Sequence, residues 1–261
     1  MQKLADEASQ PPARPRVPLY IQNMKIGSVE PVFMHLLALQ TNRSGPEQLL
    51  KEEHSGWHLV LGQSDATTRL NQLAKVLQGA GLAGAWRNEQ LAVRNASGVQ
   101  IATIERGAVR PLGIETLAVH LVGQATDGRF WVQQRAFDKS NDPGKWDTPM
   151  GGMVSAEDTV ETALQRETWE EAGLHIAGLH NLTYSGRQSN CRPTDDGAAG
   201  YMQEFIEWFS CTVPDGLTPS NQDTEVAQFV LMHELELLAA MQCGEFTTEA
   251  ALIMAAVLGV V

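Results

Sequence analysis

Cysteine is scarce in this sequence, and its scarcity argues against two kinds of stabilising site. The three cysteines are odd in number, widely spaced and free of any C-x-x-C pair; they are Cys191, Cys211 and Cys243. Neither a disulfide framework nor a zinc site is therefore indicated. Because such a chain suits a reducing compartment, we expect a cytoplasmic protein.

Long apolar runs and targeting signals are lacking as well. The longest apolar stretch, residues 250–261, is shorter than the roughly 20 residues that cross a bilayer. Residues 1–16 contain charges and prolines but no apolar segment, so they resemble a disordered leader rather than a signal peptide. We expect no membrane partner.

Basic residues are also in short supply. The chain has 19 lysines and arginines against 31 aspartates and glutamates, which gives a net charge of −12. This balance argues against binding to nucleic acid or anionic membranes, whose phosphates repel an acidic surface. If a small phosphate compound is the ligand, a divalent metal ion must supply the missing positive charge. The composition does not decide between a monomer and a homodimer.

A length of 261 residues favours two domains after the leader. Residues 17–108 change element often, with an extended segment, a helix capped by Asp65 and a hairpin turn at residues 95–98, which indicates a small α+β domain. Residues 109–261 are rich in predicted strands. Helices are predicted at residues 158–172, 233–241 and 248–258. Strands flanked by helices indicate a mixed sheet and an α/β fold.

The first of these helices carries acids on the side where apolar residues belong. At about 100° per residue, Val160, Ala163 and Leu164 form an apolar stripe. Glu167 and Glu171 continue that stripe. Carboxylates therefore point toward the interior of the predicted fold.

The acids also lie close enough together to need a cation. Glu167, Glu170 and Glu171 are spaced at i, i+3 and i+4, where like charges repel. A bound cation would turn this repulsion into binding energy, and oxygen ligands suit Mg2+ or Mn2+ better than Zn2+. Arg166 lies within reach of Asp158 and Glu170, so we expect it to hold the carboxylates by hydrogen bonds.

The spacing of these residues resembles the Nudix box, G-x5-E-x7-R-E-U-x-E-E-x-G-U, in which U is aliphatic. Counted from Gly152, the register holds through Arg166 to the end of the pattern. Two positions depart from it, since Asp158 replaces the first glutamate and Thr168 stands at a U position.

The first box acid is open to two assignments. Glu157, counted from Gly151, shifts the later spacing by one residue, so Asp158 is preferred. Because aspartate is one methylene shorter than glutamate, we expect its bond to Arg166 to be weak or water-mediated.

The resemblance implies a Nudix α/β/α sandwich with a mixed sheet, preceded by the smaller α+β domain. It also implies metal-dependent hydrolysis of a diphosphate bond in a nucleoside or coenzyme diphosphate, with Mg2+ or Mn2+ generating the attacking hydroxide. In this scheme Arg166 orients the acids. The implied metal ligands are Glu167, Glu170, Glu171 and the backbone carbonyl of Gly152.

Further candidates lie outside the box. Glu225, just before a predicted strand, is a candidate metal ligand or general base, and Glu204 is the alternative base. A predicted loop at residues 186–200 suits a substrate cover. The candidates for contact with phosphates are Arg135, Lys145, Arg187 and Arg192. For each of these side chains an ordinary solvated charge is the competing interpretation.

The first half of the chain is similar to the N-terminal extension of a Nudix subfamily related to the Nudix part of fungal thiamine pyrophosphokinase fusion proteins and to certain plant Nudix hydrolases. The residues that carry the similarity are 86–89 (Trp-Arg-Asn-Glu), 105–106 (Glu-Arg), 111–114 (Pro-Leu-Gly-Ile), 221–223 (Asn-Gln-Asp) and 225–226 (Glu-Val). This kinship implies that a compound resembling thiamine diphosphate is hydrolysed to the monophosphate.

Two other functions compete with hydrolysis. Isopentenyl-diphosphate isomerase shares the Nudix fold but needs a cysteine near the start of the catalytic domain, and none precedes Asn190. A non-catalytic Nudix-fold binding module is expected where box acids are lost, whereas Glu167, Glu170 and Glu171 are all present. Hydrolysis is therefore the favoured interpretation.

Overall fold

The computed structural model describes residues 2–44, 48–139, 141–194, 199–222 and 224–260. A short helix precedes a smaller α+β unit. The elements of this first part are α1 (Gln2–Ala8), β1 (Val17–Ile21), β2 (Met24–Val29), α2 (Pro31–Ser44), β3 (Leu50–Glu53), β4 (Gly56–Leu59), α3 (Ala66–Gly79), β5 (Gln90–Arg94) and β6 (Gln100–Glu105).

The smaller unit contains two sheets. One has the strand order β2-β1-β4-β3, and β5 and β6 form a separate antiparallel hairpin. Helix α3 begins after Asp65, whose carboxylate accepts a hydrogen bond from the backbone nitrogen of Thr68 at 2.9 Å, as the capping pattern predicts. Its apolar face enters the core through Leu70, Leu73 and Leu77.

The larger unit is built on a seven-stranded sheet. Its elements are β7 (Thr116–Ala125), β8 (Phe130–Arg135), β9 (Trp146–Asp147), β10 (Met150–Met153), α4 (Val160–Ala172), β11 (His180–Pro193), β12 (Tyr201–Val213), β13 (Val226–Met232), α5 (Glu234–Gln242) and α6 (Thr248–Val257). The strand order is β11-β12-β7-β8-β13, with β10 paired to β7 and β9 to β8. Strands β7 and β12 run parallel and the other pairs antiparallel, so the sheet is mixed.

Helices cover both faces of this sheet, and the alternation along β7 explains why. Ala118 and Val122 pack beneath α6, whereas Val119 and Leu121 pack beneath α4. Successive side chains of a strand point to opposite faces, so both faces here are apolar and both need a cover. The α/β/α sandwich preceded by a smaller α+β unit is therefore confirmed. None of the helices in the described ranges combines the length and apolar character needed to cross a membrane.

The two units share a core at the strand that leads into the box. Met153, at the end of β10, packs with the leucines of the smaller unit, whereas Met150 at the start of β10 packs beneath α4. Val109, Leu112 and Ile114, in the segment that joins the units, are buried in the same core as Met153. The box is thus anchored in the smaller unit as well as in its own sheet.

Residues 2–16 differ from the disordered leader that we expected for residues 1–16. Helix α1 packs against α6 and β11, with Leu4 against the apolar cluster beneath α6 and Ala8 buried. The backbone nitrogen of Gln10 also donates to the carbonyl oxygen of Cys191 at 2.9 Å. Leu4 and Ala8 lie one helical turn apart and share a face of the helix. An apolar face of only two residues is not visible in the composition of the segment, so the helix was not predicted.

The predicted loop at residues 186–200 is wrong over its first half, because β11 continues to Pro193. Among residues 186–193 only Asn190 is fully buried, so the apolar alternation that marks a strand is missing. Residues 195–198 of the expected substrate cover, and Asp223 of the 221–223 motif, lie outside the described residues.

Replacing Met153 with alanine should destabilise the whole chain, because its side chain fills space in the shared core. Loss of a buried methionine costs about 2–5 kcal/mol of unfolding free energy, which urea unfolding would measure. The control is Leu235→Ala, at an exposed position on α5, which should stay within about 0.5 kcal/mol of the wild type. Equal stabilities of the two variants would contradict the shared core.

Candidate active site

Helix α4 begins and ends at well-defined caps. At its start, the backbone nitrogen of Thr162 donates to the Thr159 hydroxyl at 3.2 Å, and the Thr159 nitrogen donates to the Thr162 hydroxyl at 2.8 Å. At its end, Gly173 adopts the left-handed conformation with φ of 62°. The predicted helix is confirmed from Val160 onward, and Asp158 lies just outside it.

Arg166 connects three carboxylates. Its Nη1 donates to Glu167 at 2.9 Å and to Glu170 at 3.0 Å, while Nε and Nη2 donate to a single oxygen of Asp158 at 3.1 and 2.8 Å. The expectation of a weak or water-mediated Asp158 contact is therefore wrong. Asp158 precedes the helix cap, so its backbone position rather than the length of its side chain sets its reach. Glu157 is exposed, and Asp158 is the acid that meets Arg166.

Asp158 is itself held from two further directions. The hydroxyls of Ser155 and Thr162 each donate to its carboxylate at 3.1 Å. Burial alone would raise the pKa of Asp158, but these hydrogen bonds and the charge of Arg166 outweigh it, so the pKa is lowered. The carboxylate therefore stays ionised opposite Arg166.

Glu171 is the most deeply buried acid of the box, with 4% of its surface exposed. One of its oxygens accepts hydrogen bonds from Gln133 Nε2 at 2.9 Å and from the backbone nitrogen of Gly151 at 3.0 Å. Both donors are neutral, and burial raises the pKa of Glu171 to about 8. This carboxyl group is therefore largely protonated at neutral pH unless a positive charge joins it.

Glu167 lies directly against the backbone of Gly152. A Cβ atom on Gly152 would lie 2.2 Å from the Glu167 carboxyl carbon, so only glycine leaves room for that carboxylate. Burial is the main cause that raises the pKa of Glu167 to about 6. Glu170 differs from it in exposure, since 44% of its side chain is accessible compared with 14% for Glu167.

A divalent cation fits this set of residues, although the acids do not yet converge on one point. Within the described part of the chain, no three His, Cys, Asp or Glu side chains form a preassembled metal site. The repulsion expected between the acids is relieved by Arg166 on one side and by Gln133 on the other. The Oε1 atom of Gln133 is buried without a hydrogen bond. Two largely desolvated carboxylates beside a glycine backbone are an all-oxygen donor set that suits Mg2+ or Mn2+.

Glu225 lies on a loop that packs against the end of α4. The backbone nitrogens of Ser220 and Gln222 donate to carbonyl oxygens in the last turn of α4 at 2.8 and 3.2 Å. Lys139 forms an ion pair with Glu225. Burial acts to raise the pKa of Glu225, but the bond and charge of Lys139 outweigh it, so the pKa is lowered. Sequence reasoning missed Lys139, because its loop position carries no periodic signal.

The cations expected to contact phosphates are engaged elsewhere. Arg135 pairs with Asp147 at 3.3 Å and Lys145 with Asp142 at 2.8 Å. Arg187 lies on β11 and donates through Nε to Glu207 at 2.7 Å. Arg192 is half-buried further along β11. The first three form no hydrogen bond or ion pair with a box acid among the described residues.

Glu204, the alternative base, lies on the opposite face of the sheet from α4. It accepts a hydrogen bond from the Thr116 hydroxyl at 3.2 Å, and its burial raises its pKa. His120 lies on the same face, where burial lowers its pKa and its Nδ1 meets the Thr148 hydroxyl at 2.8 Å. The box acids and Glu204 are thus on different sides of the sheet.

The sequence matches the family described as the NUDIX domain over residues 115–250, just over half of the chain. The chain therefore belongs to the Nudix family. Nudix hydrolase 20, chloroplastic, from Arabidopsis thaliana is 24% identical over 242 residues, which cover 88% of this chain and 63% of the relative. Nudix hydrolase 24, chloroplastic, from the same plant is 27% identical over 184 residues, covering 69% and 50%. The chain thus spans half to two thirds of the length of these relatives.

Other similarities are more limited in extent. The isopentenyl-diphosphate Delta-isomerase of Kocuria rhizophila is 30% identical over 121 residues, covering 46% of this chain and 63% of that enzyme. Among solved structures, DR0079 from Deinococcus radiodurans has a TM-score of 0.49 and 21% identity, covering 64% of this chain and 97% of that one.

Gly152→Ala should destabilise the protein, because the new methyl group would have to displace the Glu167 carboxylate. Overpacking of this kind costs about 1–3 kcal/mol, measured by urea unfolding. Gly79→Ala is the matched control, since a Cβ at Gly79 would have no atom within 4 Å. A Gly152→Ala protein as stable as Gly79→Ala would refute the close packing.

Glu171→Gln should change the pH dependence of stability in metal-free protein. The pKa of Glu171 is about 8 when folded and about 4.3 when unfolded. Stability from the bound proton is therefore fully present below about pH 4 and is lost as the pH rises through about 8. With chelator present, the variant should melt several degrees above the wild type at pH 8 and close to it at pH 5. About 1 kcal/mol corresponds to about 2–4 °C in a chain of this size.

The control for this experiment is Glu157→Gln, at an exposed position outside the acid cluster. Its melting temperature should follow that of the wild type at every pH. If Glu171→Gln also follows the wild type, the Glu171 carboxyl is not protonated in the metal-free protein.

Proposed function

We propose that this protein is a metal-dependent hydrolase of the diphosphate bond in a small nucleoside or coenzyme diphosphate. The observation that carries the proposal is the pair formed by the buried carboxylate of Glu171 and the half-buried carboxylate of Glu167, beside the backbone of Gly151 and Gly152. Desolvated acids lower the stability of a chain, and acids with strongly shifted pKa values are concentrated at functional sites. Membership of the Nudix family supports the same reaction class.

Glu167, Glu170, Glu171 and the carbonyl of Gly152 would hold Mg2+ or Mn2+. When bound, such an ion polarises phosphoryl oxygens and lowers the pKa of a coordinated water. Its charge would also hold Glu171 in the ionised form at neutral pH, against the effect of burial. The three glutamates would then hold the cation in place for contact with the diphosphate oxygens of the substrate.

Arg166 is a positioning residue in this proposal. Its guanidinium is fully engaged with Asp158, Glu167 and Glu170, so it orients acids rather than substrate. The Asp158 contact matters because it holds the guanidinium from outside the helix, where no other box acid reaches. An arginine supplies this fixed, planar set of donors better than a lysine does.

Glu225 is proposed to accept the proton of the attacking water. Its loop is docked on the end of α4, and Lys139 keeps its carboxylate ionised. An ionised carboxylate is the form that a general base requires. The same position also allows it to act as an additional ligand, and a pH–rate profile of Glu225→Gln would separate the two roles.

A coenzyme diphosphate resembling thiamine diphosphate is the substrate class that we propose to test first. It rests on the similarity of residues 86–89 and 105–106 to the subfamily named above. These residues adjoin the box, because the backbone nitrogen of Ala156 donates to the carbonyl of Gln90 at 2.8 Å. An isomerase is disfavoured, since Cys211 is packed beneath α4 and burial raises the pKa of its thiol to about 12.

A substrate screen tests the proposal. Chelator-treated protein should release no phosphate from nucleoside and coenzyme diphosphates, and added Mg2+ or Mn2+ should restore release from at least one of them. Glu170→Gln should lower turnover at least about 10–100-fold, because even loss of a residue that only hydrogen-bonds to a metal ligand typically has an effect of this size. Glu157→Gln is the matched control on the same segment and should retain activity.

Two outcomes of the screen would contradict the proposal. Full hydrolysis in metal-free protein would rule out the metal-dependent mechanism. Binding of a diphosphate without turnover at any metal concentration would favour the non-catalytic binding module.

A further inference from the structure

The smaller unit presents an ion pair whose role the proposed reaction leaves unexplained. Arg106 Nη1 donates to Glu89 Oε2 at 2.7 Å, and the backbone nitrogen of Arg106 donates to the carbonyl oxygen of Glu89 at 2.9 Å. The side chains are 39% and 26% exposed, respectively. The pair is therefore tied down at the backbone while its charged ends remain open to solvent.

The backbone on either side of this pair is rigidly held. Glu105 is buried, and its carboxylate accepts hydrogen bonds from the backbone nitrogens of Arg87 at 2.8 Å and Gly107 at 3.4 Å. This carboxylate bridges the segment that carries Glu89 and the segment that carries Arg106. A held backbone lowers the entropy that a side chain loses on binding a ligand.

The pair also lies at the box. Gln90, the neighbour of Glu89, is bonded through its carbonyl to Ala156 in the loop before α4. Because the backbone nitrogen of Arg106 donates to the carbonyl oxygen of Glu89, the ion pair is joined to this loop through the same short segment.

Arg106 has donors to spare on a partly exposed side chain, whereas the unpaired Nε of Arg135 is buried. Arg166 uses Nε and both terminal nitrogens on acids, and Lys139 is committed to Glu225. Arg106 uses Nη1 alone, and its Nε and Nη2 form no hydrogen bond among the described residues. A chain with a net charge of −12 repels an anionic ligand, so a cation with unused donors is a favourable contact for such a ligand.

We propose that Arg106 is a substrate-binding residue, contributed by the smaller unit, which contacts the diphosphate group of the substrate through its Nη2 and Nε atoms. Glu89 holds the guanidinium in place without using the two donors that face the ligand. The planar fork of arginine matches two phosphate oxygens. This inference rests on the proposed function, because it assumes that a diphosphate occupies the box.

The test measures turnover and binding in parallel with Arg106→Gln, Arg106→Lys and Glu89→Gln. The matched control is Arg129→Gln. Arg129 lies on the turn between β7 and β8, its side chain is 35% exposed, and it pairs with a single acid, Asp127. Binding is measured by calorimetry with Mg2+ and methylenediphosphonate, whose bridging carbon cannot be hydrolysed. Turnover uses the best diphosphate from the screen.

Arg106→Gln should raise KM and the Kd for methylenediphosphonate about tenfold with little change in kcat, as expected for loss of one charge-assisted contact. Arg106→Lys should recover part of the affinity, and Arg129→Gln should match the wild type. Glu89→Gln should not weaken binding, because the glutamine oxygen can still accept the hydrogen bond that holds the guanidinium and the arginine charge is unchanged. Equal weakening by Glu89→Gln and Arg106→Gln would mean that the pair is only structural and would overturn the inference.

Failure of the inference and failure of the proposed function give different results. A wild-type protein that hydrolyses diphosphates and binds methylenediphosphonate equally well with or without Arg106 refutes only the inference. A protein without turnover whose methylenediphosphonate binding still depends on Arg106 refutes the hydrolase and supports the inference. A wild-type protein that does not bind the probe at all refutes the role of Arg106.

Discussion

The contact between the Glu167 carboxylate and the backbone of Gly152 is the constraint on which the rest of the site depends. A Cβ atom at Gly152 would not fit while the Glu167 side chain keeps this conformation, so the glycine sets how closely that carboxylate approaches β10. On the same helix, Glu171 turns inward to Gly151 and Gln133, while Arg166 and Glu170 remain at the edge. The box is thus divided into buried and accessible acids.

The same arrangement of acids lowers the stability of the fold, because carboxylates are desolvated and held close together. Glu171 is held by neutral donors only, whereas Glu167 and Asp158 share the positive charge of Arg166. Arg166 thus stabilises the edge of the cluster, whereas the interior acid has no hydrogen-bonded countercharge among the described residues. Burial raises the pKa of that acid, and its neutral donors and the charge of Lys139 offset this only in part. Natural proteins keep such destabilising groups where a ligand later compensates them. A cation bound at the proposed site would compensate this buried acid.

The sequence predicted those parts of the structure that have a periodic signal. Helix α4 and its acids were found because its apolar residues repeat at helical spacing, and strand β7 was found because it contains a short continuous apolar run. Strand β10 was missed, since Gly151 and Gly152 occupy its middle and show no strand preference. The far half of β11 was missed because its side chains are polar at the edge of the sheet. Lys139 and the Glu89–Arg106 pair depend on tertiary contacts that no local pattern encodes.

Strand β11 forms the outer edge of the seven-stranded sheet, and an unpaired edge invites other chains to add to it. Ser9 forms a parallel bridge with Cys191 on this strand, and Gln10 donates to the same residue. Helix α1 lies against the neighbouring part of β11. Residues 2–10 therefore cover part of this edge, and a proteolytic nick that released them would expose backbone groups for pairing with another chain without touching any acid of the box.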